Sequence, residues 1–333
     1  MLTKRENFIE TIRGGKPDRL VKQYEAFAID RKDPLTNFVR GERYAGMPPM
    51  YDAWGTRIVW PAGEPGATPD PMYKVLEDVS EWKDLVKFPD LIANCSAEEI
   101  WGPYIESVSK VNRDEQMVMT VATTGVFERL LFLMGFEDTL CNFMLDPEAM
   151  RDLAMAIGEC RYNGFKLIVE NAHPDAILTH DDWGSKHNLF IQPQLWRDIV
   201  KPAYKKSYDY LHEKGVLIVH HADSFCEPII EDMIELHIDV WQGVLPQNDI
   251  PKLQKQIAGR MALMGGIDAA VVDRADSTEE EIRREVRRVC TEYAVNGHFI
   301  PCITYGGPGT IFPHVDAVID DEINRCSKMF YSL

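Results

Sequence analysis

The chain has 333 residues, of which 45% are hydrophobic and 27% charged, and its formal net charge at pH 7 is −17. This composition is typical of a globular protein with a substantial core, and the negative charge argues against nucleic acids and anionic membranes as partners. The sequence contains neither a long apolar run nor an N-terminal leader pattern, and its seven cysteines form no disulfide framework, so we expect a cytoplasmic protein without a membrane span.

Short apolar runs alternate with amphipathic segments along the whole chain. The runs are nearly continuous in apolar residues, which is typical of parallel strands covered on both faces. They predict seven strands, at 19–29, 117–125, 176–184, 215–225, 238–244, 260–268 and 297–307.

Helix start and stop signals lie between these strands. One predicted helix begins at Asp146-Pro147, and another ends on Gly215. A third has Ser277 as its predicted N-cap, with Glu280 three residues later and Gly297 past its end.

The strand–helix–strand repetition predicts an α/β fold, which we interpret as a (β/α)8 TIM-type barrel. A doubly wound open sheet is the alternative, but no GxGxxG motif follows the first strand. We expect a single domain over residues 1–333. Residues 44–90, rich in proline, glycine and tryptophan, are predicted to form a lid-like insertion after the first strand.

Polar and aromatic residues recur where the predicted strands end, which is where such barrels place their active sites. Polar junctions between strands and loops are also common without any function. The residues at these ends are Glu25, Thr123, Thr124, His180, Asp181, Asp182, Trp183, His220, His221, Asp223, Trp241, Gln242, Asp268, Cys302 and Tyr305.

The segment IVHHADSFCEP at 218–228 indicates a metal site. Because side chains alternate along a strand, His221 and Asp223 face the same side, whereas His220 points the opposite way and is interpreted as structural. Imidazole, carboxylate and thiolate are zinc ligands, so His221, Asp223 and Cys302 are the predicted set, with Cys226 in reserve. The alternative is that these groups only form hydrogen bonds.

The remaining candidates are acids and aromatic residues near the predicted mouth. Asp181 and Asp182 are predicted acid/base or orienting groups, although a capping role suits Asp181 equally well, and Glu25 is a spare acid or ligand. Trp54, His180, Trp183, Trp241 and Tyr305 are the predicted substrate-binding residues, although the tryptophans also suit simple packing.

Three segments resemble the uroporphyrinogen decarboxylase superfamily, and the resemblance covers nearly the whole chain. They are the opening TKRENFIETIRGGKPDR, the stretch HDDWGSKHNLFIQPQLWRDIVKPAYKK and the glycine-rich MGGID. The resemblance implies a (β/α)8 barrel. True decarboxylases in this superfamily carry an arginine motif after the first strand, where this chain reads KQYEAFAIDRKD.

The sequence looks closer to the branch of methyltransferases that work with corrinoid proteins. Thiol-alkylating members of that branch hold zinc with His-x-Cys and a distant cysteine. Here His221-Ala222-Asp223 stands in the first position and Cys302 in the second. A carboxylate in place of a thiolate makes zinc a harder Lewis acid, which suits an ether oxygen as leaving group better than a thiol.

The resemblance therefore implies a zinc-dependent methyltransferase that moves a methyl group from a methoxylated, aromatic ether to the cobalt of a corrinoid. The corrinoid (cobalamin) would be supplied by a small corrinoid-binding partner protein. A methylcobamide methyltransferase acting on a thiol or folate, a uroporphyrinogen decarboxylase and a non-catalytic tetrapyrrole- or corrinoid-binding barrel are the alternatives. A homodimer is compatible with the sequence.

Overall fold

The computed structural model describes residues 1–30, 33–64, 66–122, 124–305 and 311–331, so Thr123 lies outside the described residues. The strands are β1 (Phe27–Asp30), β2 (Met50–Tyr51), β3 (Arg57–Val59), β4 (Thr68–Pro69), β5 (Met117–Ala122), β6 (Ala176–His180), β7 (Leu217–His221), β8 (Val240–Val244), β9 (Ala262–Ile267) and β10 (Phe299–Ile303). The helices are α1 (Lys4–Arg13), α2 (Pro34–Arg40), α3 (Trp82–Leu85), α4 (Leu91–Cys95), α5 (Glu98–Ser109), α6 (Val126–Met134), α7 (Phe136–Leu145), α8 (Pro147–Ala172), α9 (Pro193–Leu195), α10 (Lys201–Glu213), α11 (Ile230–Glu235), α12 (Ile250–Ile257), α13 (Ala269–Val272), α14 (Glu279–Glu292) and α15 (Pro313–Tyr331).

A parallel sheet of seven strands organises the molecule. Its order is β1-β5-β6-β7-β8-β9-β10, so each strand pairs with the next one in the chain apart from the excursion between β1 and β5. Six of the predicted runs contain one of these strands, whereas the first run, 19–29, overlaps β1 (Phe27–Asp30) only at its end. The predicted α/β class is therefore confirmed.

The sheet curls so that one of its faces encloses an inner core. Side chains from all seven strands meet there in a single cluster, which includes Phe27 of the first strand and Ile300 of the last. Phe8 and Ile12 of α1 complete this cluster. Among the described residues no ladder joins β1 to β10 and no eighth parallel strand is present, so the fold is a curled, TIM-like sheet and a closed eight-stranded barrel stays a prediction.

Helices cover the outer face of the sheet and form a second, larger core with it. Asp146 caps α8, as predicted, by accepting the backbone N–H of Ala149. The predicted cap of α14 was wrong by one residue: Thr278 and Glu281 form the capping box, whereas the Ser277 hydroxyl donates to the Val272 carbonyl. No described helix combines the length and the apolar character that crossing a bilayer requires.

The segment predicted as a lid, 44–90, contains a separate antiparallel sheet. Its strand order is β2-β3-β4, and α3 follows it in the chain. The buried residues Trp54 and Leu76 join this segment to the outer core. Its role as a lid over the site stays a prediction.

The close crossing of α8 and α10 depends on Gly158. A Cβ atom at this position would lie 2.2 Å from the Ala203 carbonyl oxygen, a backbone atom that cannot rotate away. We expect Gly158→Ala to lower the free energy of unfolding by about 1–3 kcal/mol, because the two helices must separate to admit the methyl group.

Chemical denaturation measures this loss. Gly66→Ala adds the same methyl group where no atom lies within 4 Å, so it is the matched control and should change stability by less than about 0.5 kcal/mol. Equal effects of the two substitutions would contradict the role assigned to Gly158.

Candidate metal centre

Two histidines end neighbouring strands at the carboxyl edge of the sheet. The parallel register pairs His180 of β6 with His221 of β7. Alternation along each strand turns both side chains toward the inner face, since Leu178 and Val219, two residues earlier, belong to the inner core. The two imidazole rings stack with centroids 4.5 Å apart and an angle of 16° between their planes.

Asp182 completes a group of three residues, with His180 and His221, that we call the ligand trio. One potential ligand atom from each residue lies within 4.8 Å of the others, which makes the trio a candidate metal site. The His180 Nε2 atom is 3.9 Å from Asp182 Oδ2, and the His221 Nε2 atom is 4.0 Å from Asp182 Oδ1. Both imidazoles therefore direct Nε2 toward the same carboxylate.

The other nitrogen of each imidazole is held by a neighbouring side chain. His180 Nδ1 lies 2.9 Å from Glu128 Oε2, and His221 Nδ1 contacts Gln242 Oε1. Gln242 in turn donates its amide to the Thr304 carbonyl at 3.3 Å. Oxygen acceptors at Nδ1 fix the tautomer that leaves Nε2 free to bind a metal, which is the usual arrangement of metal-binding histidines.

The two histidines differ electrostatically. Burial alone lowers the pKa of His180, but the charge and hydrogen bond of Glu128 outweigh burial and raise it to about 9. Burial and the nearby His180 charge lower the pKa of His221, so its imidazole is neutral near pH 7. The Glu128 carboxylate thus sets the charge of the site.

Asp181 lies behind the trio and is fully buried. Its carboxylate accepts the backbone N–H groups of Phe127 at 2.9 Å and Glu128 at 2.7 Å, the first turn of α6. It also accepts the Trp183 indole N–H at 2.9 Å and the Tyr204 hydroxyl. The two amides make Asp181 the cap of α6, and with four donors its carboxylate is fully engaged inside the protein instead of being directed toward a substrate.

Two further predicted residues lie next to the trio. The backbone N–H of Asp223 donates to Asp182 Oδ1 at 2.9 Å, and burial together with the Asp182 charge raises the pKa of Asp223. Tyr305 donates to Asp273 Oδ2 at 2.6 Å, and its phenol is close enough to feel the Asp223 charge. Both side chains are half-buried.

The predicted cysteine ligands do not join the trio. Cys302 lies on the inner face, but it packs among apolar residues, and burial is the cause that raises its thiol pKa. Cys226 is fully buried in the outer core, close enough to Asp182 and Asp223 for their charges to raise its pKa further. The structure therefore assembles His180, Asp182 and His221 rather than His221, Asp223 and Cys302.

Glu25 lies at the opposite edge of the sheet. Strand β1 begins only at Phe27, so Glu25 precedes the strand instead of ending it. Its carboxylate accepts the backbone N–H of Lys22 at 3.0 Å and closes a turn. Its prediction as a site acid is corrected by this placement.

Three predicted substrate-binding tryptophans are buried in the outer core. Trp183 stacks on His220 with ring centroids 4.2 Å apart, and Trp241 donates its indole N–H to the Ala222 carbonyl at 2.8 Å. Trp54 packs against the Arg129 guanidinium at 4.8 Å from the ring centroid. Their contacts are those of packing residues, and the structural interpretation of His220 agrees with its stacking.

Sequence reasoning missed Glu128 and assigned no role to Gln242. The signal for Glu128 was present in TTGVFER, where a glycine precedes a helix start just after β5. A Cβ atom at Gly125 would lie 2.1 Å from Asp181 Cγ, so glycine is required for the capping carboxylate to approach α6. Only the fold shows that α6 carries Glu128 to His180.

Residues 47–325 match the model of the family described as uroporphyrinogen decarboxylase (URO-D). The chain belongs to the uroporphyrinogen decarboxylase family. No curated protein sequence matches it.

Two solved structures are similar to this chain to different degrees. A methyltransferase from Methanosarcina mazei superposes with a TM-score of 0.66 at 14% identity, covering 99% of this chain and 100% of the other. An intracellular xylanase from Thermoanaerobacterium saccharolyticum aligns with 70% of this chain over 85% of its own length, at 12% identity. Its TM-score of 0.32 is too low to support a shared fold. The first match shows that the two proteins share a fold.

Capping of α6 by Asp181 generates a stability prediction. Asp181→Ala leaves four buried donors without their acceptor, so we expect a loss of at least about 2 kcal/mol in the free energy of unfolding. Asp181→Asn keeps one acceptor oxygen and should lose less. Asp198→Ala, an exposed aspartate, is the control for chemical denaturation, and a loss at Asp181 no larger than at Asp198 would contradict the capping role.

Proposed function

We propose that this chain is a metal-assisted, corrinoid-dependent methyltransferase. It takes the methyl group from a methoxylated, aromatic ether and transfers it to the cobalt of a corrinoid carried by a partner protein. The observation that carries the proposal is the ligand trio, in which two imidazole Nε2 atoms and a carboxylate converge while both Nδ1 atoms are anchored. Family membership and the full-length fold match to a protein named a methyltransferase support it.

The chemistry of the trio fits zinc. Zinc in catalytic sites takes three protein ligands drawn from histidine, carboxylate and cysteine, and keeps a fourth position open. His180, Asp182 and His221 would hold the metal, with Glu128 and Gln242 orienting the two imidazoles. This set replaces the predicted one, because the Cys302 thiol lies among apolar side chains instead.

The trio contains no thiolate, which favours an oxygen leaving group. Nitrogen and oxygen ligands leave zinc a stronger Lewis acid than thiolates do, and such a metal stabilises the negative charge that develops on a departing phenolate. An acceptor thiol would be better served by sulfur ligands. The ether substrate is therefore preferred to transfer involving a thiol.

The proposed reaction breaks one bond and forms another. The bond between the methyl carbon and the ether oxygen breaks, and its electron pair stays on the oxygen. The reduced corrinoid of the partner is the nucleophile and supplies the pair for the new cobalt–carbon bond. The chain itself aligns the two reactants and excludes competing reactions.

Asp223 and Tyr305 are the proposed substrate-facing groups. The Asp223 carboxylate has no hydrogen-bond or ion-pair partner among the described side chains, although it lies beside Asp182. It is placed to orient the substrate and to pass a proton to the leaving oxygen. The partner would dock over the carboxyl edge of the sheet, where the 44–90 segment is proposed to close over the ether.

Metal content decides between the two ligand sets. We expect the purified protein to bind one zinc per chain and His221→Ala or His180→Ala to lower zinc occupancy by at least about tenfold, since each removes one of three ligands. Cys302→Ala should keep its zinc, and elemental analysis after dialysis measures both. Loss of zinc in Cys302→Ala together with retention in His180→Ala would restore the sequence-based set.

Methyl transfer can be followed by the absorbance change of chemically reduced, free cobalamin. With zinc-loaded protein and 1,2-dimethoxybenzene or 2-methoxyphenol as donor, we expect methylcobalamin to form. Asp223→Asn should lower the rate by about 10²–10⁴-fold while zinc content stays unchanged, as for the loss of a positioned acid/base group.

Glu227→Gln, an acid of the same segment that pairs with Lys252, is the matched control and should retain the rate. Transfer from a methylated thiol or folate, with none from any ether, would contradict the ether assignment. Decarboxylation of a tetrapyrrole would instead indicate a uroporphyrinogen decarboxylase. Zinc-independent cobalamin binding without methyl transfer would indicate a non-catalytic corrinoid-binding barrel.

A further inference from the structure

Residues 222–226 follow β7 directly, and we call them the Asp223 segment. The segment begins next to His221 of the ligand trio and carries Asp223, the proposed substrate-facing acid. No helix or strand includes it. Contacts with neighbouring loops must therefore satisfy its backbone and fix its position.

One side of the segment is held by residues that follow β6. The backbone N–H of Asp223 donates to Asp182 Oδ1 at 2.9 Å, and the backbone N–H of Phe225 donates to the Ser185 carbonyl at 2.8 Å. The first of these acceptors is the carboxylate of the ligand trio. The Asp223 segment is thus joined directly to the candidate metal centre.

The other side is held by a single side chain, that of Asn248, which lies between β8 and α12. Its Oδ1 accepts the backbone N–H of Cys226 at 2.9 Å, and its Nδ2 donates to the carbonyls of Ser224 at 3.0 Å and Leu245 at 3.2 Å. Asn248 is only 1% exposed. A carboxamide both donates and accepts, so one residue holds the far end of the segment and ties it to the turn after β8.

Strand β8 makes room for the start of the segment. Its register with β9 shifts between Gln242 and Val244, and Gly243 stands at this bulge with a φ of 95°. A Cβ atom on Gly243 would lie 3.1 Å from the Ala222 carbonyl oxygen and 3.2 Å from the Asp223 nitrogen. The near end of the segment is therefore packed against the β8 backbone, and Asn248 holds the far end.

The Asp223 carboxylate has no hydrogen-bond or ion-pair partner among the described side chains, so the backbone of the segment sets where it lies. A misplacement of about 1 Å in a reacting group can cost about 10²-fold in rate. We propose that Asn248 is a positioning residue, which fixes the Asp223 segment and through it the Asp223 carboxylate at the metal centre. The inference rests on the proposed function, because it gives Asn248 a part in the same methyl transfer.

Asn7 provides a matched control far from the metal centre. Its side chain is also fully buried, with Nδ2 donating to the Arg19 carbonyl at 3.0 Å and Oδ1 accepting the backbone N–H of Asp18 at 2.9 Å. These contacts join α1 to the residues that precede β1, at the amino edge of the sheet. Alanine at either asparagine leaves buried backbone groups without partners, so both variants should lose stability. Only Asn248→Ala should affect the metal centre.

Hydrogen exchange of single amides, measured by NMR on the full chain, tests the contacts without any methyl transfer. In Asn248→Ala the amides of Asp223, Phe225 and Cys226 should exchange at least about tenfold faster than in the wild type. In Asn7→Ala they should exchange at the wild-type rate. Unchanged exchange of these amides in Asn248→Ala, or equal acceleration in Asn7→Ala, would overturn the proposal.

Asn248→Asp is the second variant, for use if the alanine variant folds poorly. It keeps an acceptor for the Cys226 amide but turns a second oxygen toward the carbonyls of Ser224 and Leu245. The segment should loosen because these oxygens repel one another, so its exchange should also be faster than in the wild type. Wild-type exchange in this variant would count against the proposal in the same way.

Methyl transfer to free, reduced cobalamin then tests positioning. Asn248→Ala should lower kcat by about 10²-fold while zinc content stays at the wild-type level, and Asn7→Ala should keep the wild-type kcat. In an Asp223→Asn background, Asn248→Ala should lower kcat by less than about threefold, because the group that it positions is already lost.

A full, independent loss in the double variant would overturn the positioning role, since Asn248 would then act on something other than Asp223. The same follows if Asn7→Ala lowers kcat as much as Asn248→Ala does. A wild-type protein that moves no methyl group from any ether would contradict the proposed function instead, and the exchange result alone would then decide whether Asn248 fixes the segment.

Discussion

The carboxylate of Asp181 makes the interactions on which the arrangement of the candidate metal centre depends. It follows β6 immediately, and its two oxygens accept the first amides of α6 while the Trp183 indole and the Tyr204 hydroxyl approach from the side of α10. One buried group thus connects a strand, the helix of the preceding unit and the helix of the following unit. Because α6 is held in this way, Glu128 in its first turn stands beside His180.

Strand alternation then separates two kinds of chemistry at the same edge of the sheet. His180 and His221 turn inward, where a metal can be reached from the mouth. His220 turns outward against Trp183 and lies near the Tyr208 hydroxyl at 2.8 Å, in a layer of aromatic rings. A histidine pair that looks like one cluster in the sequence therefore belongs to two layers of the protein, with His221 in the candidate metal site and His220 in the aromatic packing.

The electrostatics of individual buried groups do not follow the net negative charge of the chain. A protein with a net charge of −17 still raises the pKa of the His180 imidazole to about 9 beside Glu128 and buries the Arg129 guanidinium in an ion pair with Asp52. In a low-dielectric interior a single nearby charge outweighs many distant ones that are screened by water, so global charge does not describe either group. Local contacts therefore set the electrostatics around each of these groups.

The sequence by itself determined the class of fold, because the alternation of buried strands with capped amphipathic helices is a local pattern set by side-chain periodicity. It placed six of the seven strands, the start of α8 at Asp146 and the carboxyl edge at which His180, Asp182 and His221 lie, whereas β1 begins eight residues later than predicted. It also selected His221 over His220, since alternation along a strand follows from backbone geometry alone.

Only the tertiary structure decided which side chains meet. The register of β6 with β7 brings His180 beside His221, and the packing of α6 brings in Glu128 from about fifty residues earlier. The same packing leaves Cys302 among apolar side chains and places Glu25 at the wrong edge. Distances between residues far apart in the chain depend on strand register and helix packing, which arise from the whole core and are not encoded in any single motif.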